Sequence, residues 1–253
     1  MTLDPFGARE FFHIAALRHL SARRSGRSWA LKGGVCLRLF HGSARLSEDM
    51  DLDVDPGVRS ATLENGIDAV LASPALRADL VRAGLAVARV AKPKQTQTTQ
   101  RWKVELALSG EPVQTKIEFS RRRGAPPAET APPSPALLDL YGVTHFAARH
   151  YGAGEMAAQK TAALAADNRT AVRDLYDLDL LWSRRQAEGG AALDAVPTAL
   201  RESAAAKAES FAWRDFQGGV LPYLDAAARA AYTPEVFGSL QESVAARLRG
   251  KGG

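Results

Sequence analysis

The sequence is poor in cysteine, with one in 253 residues. A single Cys36 excludes an internal disulfide framework and a multi-cysteine zinc site. It sits in an apolar run and reads as a small core residue. Long hydrophobic runs are also missing, and no segment approaches the length of a membrane span. Arg9, Glu10 and Arg18 interrupt any early apolar stretch, so no signal peptide is visible and the expected compartment is the cytoplasm. The five histidines (His13, His19, His41, His145, His150) show no metal-ligand spacing. No Ser/His/Asp order stands out, and Gly42-Ser43 lacks the glycines of a nucleophile elbow. No internal repeat is visible.

What is present describes a globular chain. Hydrophobic residues make up 46% and charged residues 24%, and the length suffices for one large domain or two small ones. Lys plus Arg is 33 against 28 for Asp plus Glu, a formal charge of +5. That balance fits a polyanionic partner without requiring one.

The chemistry concentrates in Leu31–Val54. Gly33-Gly34 follows a short apolar lead-in and precedes an apolar run, Val35–Phe40, that reads as a buried helix. Amide N–H groups freed at a helix start, with no side chain in the way, bind phosphate oxygens. His41-Gly42-Ser43 reads as a turn. Then Asp49, Asp51 and Asp53 alternate with Met50, Leu52 and Val54, the period of a strand with one apolar face. Acids two apart on a strand project from one face, about 7 Å apart by strand rise. Such carboxylates repel unless a cation sits between them, and Mg²⁺ prefers carboxylate and phosphate oxygens. A bare D-x-D also fits a solvated edge strand. Gly-Gly, the fourteen residues 35–48, and then D-x-D place a phosphate cradle and a metal pair on consecutive elements. Asp53 is expected to be carried away by strand twist and to stay a surface acid.

The rest of the chain divides in two. Helices are expected over 6–24 and over 63–81, the latter broken at Pro74, with a strand at 85–90 and a polar loop over 92–100. Trp102–Leu108 and Val113–Phe119 alternate about the turn Ser109-Gly110-Glu111-Pro112, a β-hairpin. Residues 120–135 hold Arg121-Arg122-Arg123 and five prolines and read as an exposed linker. From Leu137 onward the pattern is Ala-rich and helical, with helices at about 137–150, 154–166, 170–187, 194–216, 219–231 and 234–248. The expectation is an α+β protein: an α/β domain over 1–130 with a mixed sheet, then an all-helical domain over 136–253.

Lys32-Gly33-Gly34 … Leu37-Arg38 … Gly42-Ser43-x-Arg45-x-Ser47-Glu48-Asp49-x-Asp51 resembles the signature of the DNA polymerase β-like nucleotidyltransferases. Its finer wording is similar to the AbiEii/MenT branch, the toxins of bacterial type IV toxin–antitoxin systems. Lys116–Ser120 is similar to the strand carrying that family's third carboxylate. Glu155–Lys160 and Arg173–Leu178 are similar to its helical motifs. The resemblance covers roughly residues 28–182.

It implies an NTP-dependent nucleotidyltransferase releasing pyrophosphate, with Mg²⁺, or Mn²⁺ in its place. NTP and metal would lie in a cleft between the two halves. The implied metal ligands are Asp49, Asp51 and Glu118. The implied nucleotide contacts are Gly33, Gly34, Arg45, Ser47, Lys160 and Asp177. Two-metal transfer needs a carboxylate near the attacking hydroxyl. Glu118 is favoured for it, with Glu105 on the partner strand as competitor. Lys160 reads as a surface lysine by its helix alone, and as a phosphate-contacting cation by the resemblance. Asp174 and Asp177 share a helix face. One reading is salt bridging, such as Arg173 to Asp177. The other puts one of them, by preference Asp174, at the active site. Arg38, Arg45 and Ser47 have structural readings as well, Arg45 holding Glu48 or a nucleotide and Ser47 fixing the turn into the strand. The implied acceptor is RNA, the tRNA 3′ end being the leading case, with Arg121–Arg123 as further phosphate contacts and a cognate antitoxin as partner. Modification of a protein hydroxyl, or a degenerate fold that only binds nucleotide or RNA, are the alternatives.

Overall fold

A computed structural model describes residues 3–23, 28–121, 127–166, 172–183 and 191–250. Arg122 and Arg123 lie outside them. The described chain forms two compact units. One runs to Gly42 and from Leu46 to Tyr151; the other combines Ser43–Arg45 with the chain from Gly152 onward.

The first unit is built on a seven-stranded mixed sheet. Helix α1 (Pro5–Ser21) starts where Pro5 presets the backbone and the Asp4 carboxylate accepts the Gly7 amide at 2.7 Å. Strand β1 (Trp29–Lys32) leads into α2 (Gly33–Phe40), and β2 (Asp49–Val54) follows. Helices α3 (Ser60–Leu71) and α4 (Pro74–Arg82) are separated at Ser73-Pro74, where the Ser73 hydroxyl caps α4. Strands β3 (Leu85–Gln95), β4 (Thr99–Leu108) and β5 (Glu111–Ser120) form a meander. Two short strands, β6 (Glu129–Ala131) and β7 (Ala148–His150), flank α5 (Pro135–Leu140). The strand order is β3-β4-β5-β2-β1-β7-β6. β2 runs parallel to β5 and antiparallel to β1. Phe12, Ile14 and Leu17 of α1, Met50 and Leu52 of β2, and Trp102 and Phe119 of the meander are fully buried. The last two rings meet edge-to-face at 6.0 Å.

Two expectations change here. The 92–100 stretch is a tight hairpin rather than a loop. Its polar side chains supply the turn, with Thr96 Oγ1 accepting the Thr99 amide at 3.1 Å, while Lys94 and Gln95 pair with Arg101 and Gln100. The 137–150 helix stops after one and a half turns. Gly142, at φ +60, takes the chain out of the helix, and Ala148–His150 then adds to the sheet beside β1.

The second unit is helical: α6 (Ala153–Ala165), α7 (Arg173–Ser183), α8 (Ala191–Asp194), α9 (Thr198–Ser210), α10 (Trp213–Gly219), a 3-10 turn (Leu221–Tyr223), α11 (Ala226–Ala230) and α12 (Pro234–Leu248). The expected 194–216 helix is interrupted twice. Pro197 starts α9, and the Asp215 carboxylate takes the Ala212 amide at 2.8 Å to begin α10 afresh. Tyr176, Phe216, Tyr232 and Phe237 form a ring cluster with centroids 5.0–6.4 Å apart. Small residues Ala204, Ala205 and Ala208 are wholly buried, letting α9 approach its neighbours closely. No helix among the described residues is long and apolar enough to cross a membrane.

Candidate active site

The acidic strand lies where two glycines deliver it. Gly33 opens α2 at φ +71, a conformation that penalises any Cβ. A Cβ there would also sit 3.1 Å from Asp51 Oδ2. The close approach therefore needs glycine twice over. No side chain caps α2 at Lys32, so its first-turn amides, including that of Gly34, keep their capacity to donate.

β2 is fixed from both sides. At its start the Ser47 hydroxyl donates to the Asp49 carbonyl at 3.2 Å, and Thr115 Oγ1 donates to the Glu48 carbonyl at 2.7 Å. Thr115 is itself held by His13 Nε2 at 2.7 Å. Burial, aided by Arg9, pushes the His13 pKa down to about 3, so this ring is neutral at pH 7 and makes a neutral prop.

The parallel register sets Asp49 beside Lys116 and Asp51 beside Glu118. Lys116 Nζ lies 2.9 Å from Asp49, and Arg101 Nε donates to Glu118 at 2.6 Å. Glu105 is one strand further from β2 and takes the Gln114 amide. Asp51 is half-buried. Burial raises its pKa, and the Asp49 and Glu118 carboxylates push the same way against the opposing pull of Lys116 and Lys32. Lys116 is raised: burial pulls it down, but Asp49, Asp51 and Glu118 outweigh that.

These residues fit a divalent cation as a carboxylate pair. Asp49 and Asp51 are hard oxygen donors on one face, and a bound cation would favour the charged Asp51 carboxylate that burial disfavours. Among the described residues no group of three His, Cys, Asp or Glu side chains stands ready to enclose an ion. Glu118, bonded to Arg101, would have to exchange that partner to join the pair.

Asp53 is not the surface acid expected. Its side chain is 3% exposed, ion-paired with Lys32 and bonded by the Tyr151 hydroxyl at 3.1 Å. The antiparallel β1–β2 pair brings Lys32 alongside this face, and that cation makes the burial affordable.

The helical unit carries a second charged group. Arg45 Nε and Nη2 grip Asp177 with bonds of 3.1, 3.0 and 2.9 Å. Lys160 Nζ lies 2.8 Å from Asp174 Oδ1 and 2.6 Å from Asp177 Oδ2. All four side chains are at most 10% exposed. Burial pushes Asp177 up, but Arg45 and Lys160 outweigh it and hold the carboxyl below its ordinary value. Burial pulls Lys160 down, but Asp174 and Asp177 outweigh it and hold the ammonium above its ordinary value. Arg45 thus holds the Asp177 carboxylate. The expected Arg173–Asp177 bridge gives way to it: Arg173 donates to the Gly219 carbonyl and stacks over Tyr223 at 4.0 Å. Lys160 is buried rather than superficial, bound by both candidate acids at once. Arg38 bonds Glu10 of α1 at 2.5 Å.

The period-two pattern of β5 puts Lys116 on the face of Glu118, but sequence reasoning gave it no role there and missed Arg101 and Lys32 as members of the acidic face. The last two need strand pairing.

Comparison with known proteins agrees with this architecture. The fold is similar to the crystal structure of JHP933 from Helicobacter pylori, with a TM-score of 0.64 at 18% identity, covering 99% of this chain and 94% of that one. It is also similar to a candidate nucleotidyltransferase from H. pylori, with a TM-score of 0.62 at 19% identity, covering 96% and 94%. No curated protein matches the chain. A family model described as nucleotidyl transferase AbiEii toxin, type IV TA system, matches residues 15–244. The chain therefore belongs to the AbiEii nucleotidyltransferase toxin family of type IV toxin–antitoxin systems.

Proposed function

We propose that the protein transfers a nucleotide from an NTP to an RNA hydroxyl, the 3′ end of tRNA being the leading acceptor, in the cytoplasm. Family membership implies the NTP and an antitoxin partner. The observation that carries the catalytic reading is the Asp49–Asp51 pair set against Gly33 at the uncapped start of α2.

Residue roles follow from the chemistry of each group. The α2 amides at Gly33 and Gly34 cradle phosphate oxygens. Asp49 and Asp51 would hold Mg²⁺ or Mn²⁺, which when bound neutralises charge on the reacting phosphate. Glu118, released from Arg101, accepts the acceptor hydroxyl proton or completes the ligand set. Lys116 neutralises Asp49 until the ion arrives. Ser47 fixes the turn that aims β2. In the helical unit, Asp174 and Asp177 fix the Lys160 ammonium for a phosphate contact, with Arg45 holding Asp177.

The test is incubation of the protein with each labelled NTP, Mg²⁺, total RNA and cell lysate, beside the Asp49→Ala/Asp51→Ala double variant. Label on RNA, lost in the variant, is expected. Label on protein would replace the acceptor with a protein hydroxyl. No transfer from any NTP, or transfer indifferent to the two substitutions, would sink the mechanism.

A further inference from the structure

The face that carries Asp49 and Asp51 continues across β5 and β4 to β3, the edge of the sheet. Register fixes what lies along it. In one row Asp51 stands beside Glu118, Glu118 beside Arg101, and Arg101 beside Lys94. In the next, Asp49 stands beside Lys116, Lys116 beside Lys103, and Lys103 beside Ala91. In a third, Glu105 stands beside Arg89. Asp49, Asp51 and Glu118 hold the β2–β5 end of the face, and Lys94, Arg101, Lys103 and Arg89 hold the β3–β4 end, where Glu105 is the one acid in these rows.

Two of these lateral neighbours are like charges, Lys94 with Arg101 and Lys103 with Lys116. Directly opposed like charges destabilise a strand pair. Arg101 and Lys116 are already bonded to Glu118 and Asp49. Lys94, Lys103 and Arg89 make no ion pair among the described residues, and Lys103 and Arg89 are exposed. Protection of an edge strand accounts for lysine on β3, where Pro93 and a register irregularity serve the same end. It does not account for Lys103, because β4 is an interior strand. The arrangement is one that an extended polyanion would relieve.

We propose that Lys94, Arg101 and Lys103, with Arg89 beside them, form a path for the phosphate backbone of the nucleic-acid acceptor, leading across the sheet toward Asp49 and Asp51. This rests on the reading that the acceptor is RNA. From β2 to β3 is three strand spacings, about 14 Å. The path carries no sequence information; it sets the direction from which the reacting end arrives.

The experiment is binding of a fluorescent tRNA to the full chain without divalent metal, across a salt series, for wild type, Lys103→Glu, Lys94→Glu and Arg77→Glu. Arg77 is an exposed residue of α4 and matches the charge change. Each lost phosphate contact should flatten the slope of log K against log salt by about 0.7 to 0.9. That flattening is expected for Lys103→Glu and for Lys94→Glu, with Arg77→Glu keeping the wild-type slope. Wild-type slopes in both sheet variants, equal flattening in Arg77→Glu, or no tRNA binding by the wild type at low salt would each overturn the path. Because binding is read without transfer, loss of the path leaves the transfer reading intact. Label appearing on protein alone, with the slopes flattened as expected, would overturn the transfer reading and keep the path.

Discussion

Replacing Gly33 with alanine tests whether the α2 start and the acidic strand form one unit. Gly33 has φ +71, and a left-handed backbone costs a residue with a Cβ about 1–2 kcal/mol. The new methyl would stand 3.1 Å from Asp51 Oδ2 and 3.5 Å from Asp51 Cβ, so the carboxylate must give way by a few tenths of an ångström. The stability loss should total about 2 kcal/mol, a Tm fall of about 4–8 °C for a chain of this size. Activity should fall by about 4-fold beyond this, because misplacing a reacting group by about 1 Å costs roughly 10²-fold and the shift here is a few tenths of that. Gly142 supplies the control. It has φ +60, but a Cβ there meets nothing within 4 Å. Gly142→Ala should share the backbone penalty and keep wild-type transfer. Thermal unfolding and pyrophosphate release, measured side by side at a temperature where both variants are folded, read the two effects separately. Equal activity in the two variants would refute the coupling of Gly33 to Asp51.

Further expectations concern charge. Arg45→Ala strips Asp177 of its guanidinium but leaves it Lys160, so a loss near the lower end of the roughly 3–5 kcal/mol for a broken buried pair is expected. Asp177→Asn removes the carboxylate that both Arg45 and Lys160 bind and should cost more in denaturant unfolding; the reverse order would contradict the assignment of Asp177 as the hub. The same cluster sets a pH window. Asp177 is held below its ordinary 3.8, so its contribution is complete above that pH and is lost as pH falls through the lower native value. Lys160 is held above 10.5, so its contribution is complete below that pH and is lost as pH rises through the higher native value. Wild type minus Arg45→Ala stability should therefore be level across neutral pH and shrink in acid. Asp51 runs the opposite way. Its raised pKa means the charged form costs stability above 3.8. Asp51→Asn should raise Tm in the absence of metal while abolishing transfer. Mg²⁺ at ten times its Kd should stabilise the wild type by about 1.4 kcal/mol and leave the Asp49→Ala/Asp51→Ala variant unmoved; equal stabilisation of both would place the ion elsewhere.

Periodicity and glycine placement are local properties, and they determined a good deal. Alternation along Asp49–Val54 sets the acids on one face whatever pairs with the strand. Gly33-Gly34 and the proline and hydroxyl caps mark where α1, α2, α4 and α12 begin. The mixed α/β character and the helical second half follow from the same patterns, and the motif spacing carried the family. Pairing between distant segments is not local, and the tertiary structure alone decided what depends on it. The parallel β2–β5 register chose Glu118 over Glu105 as the neighbour of Asp51 and gave Asp49 its lysine. Lys32, Tyr151 and the β1 register turned Asp53 from an expected surface acid into a buried one. Arg45 and Asp177 are 132 residues apart, and burial of both made a bidentate pair out of two residues that their own segments offered to other partners. Desolvation supplies the reason: a buried charge must find its opposite wherever the fold brings one, and composition along the chain does not say where that is.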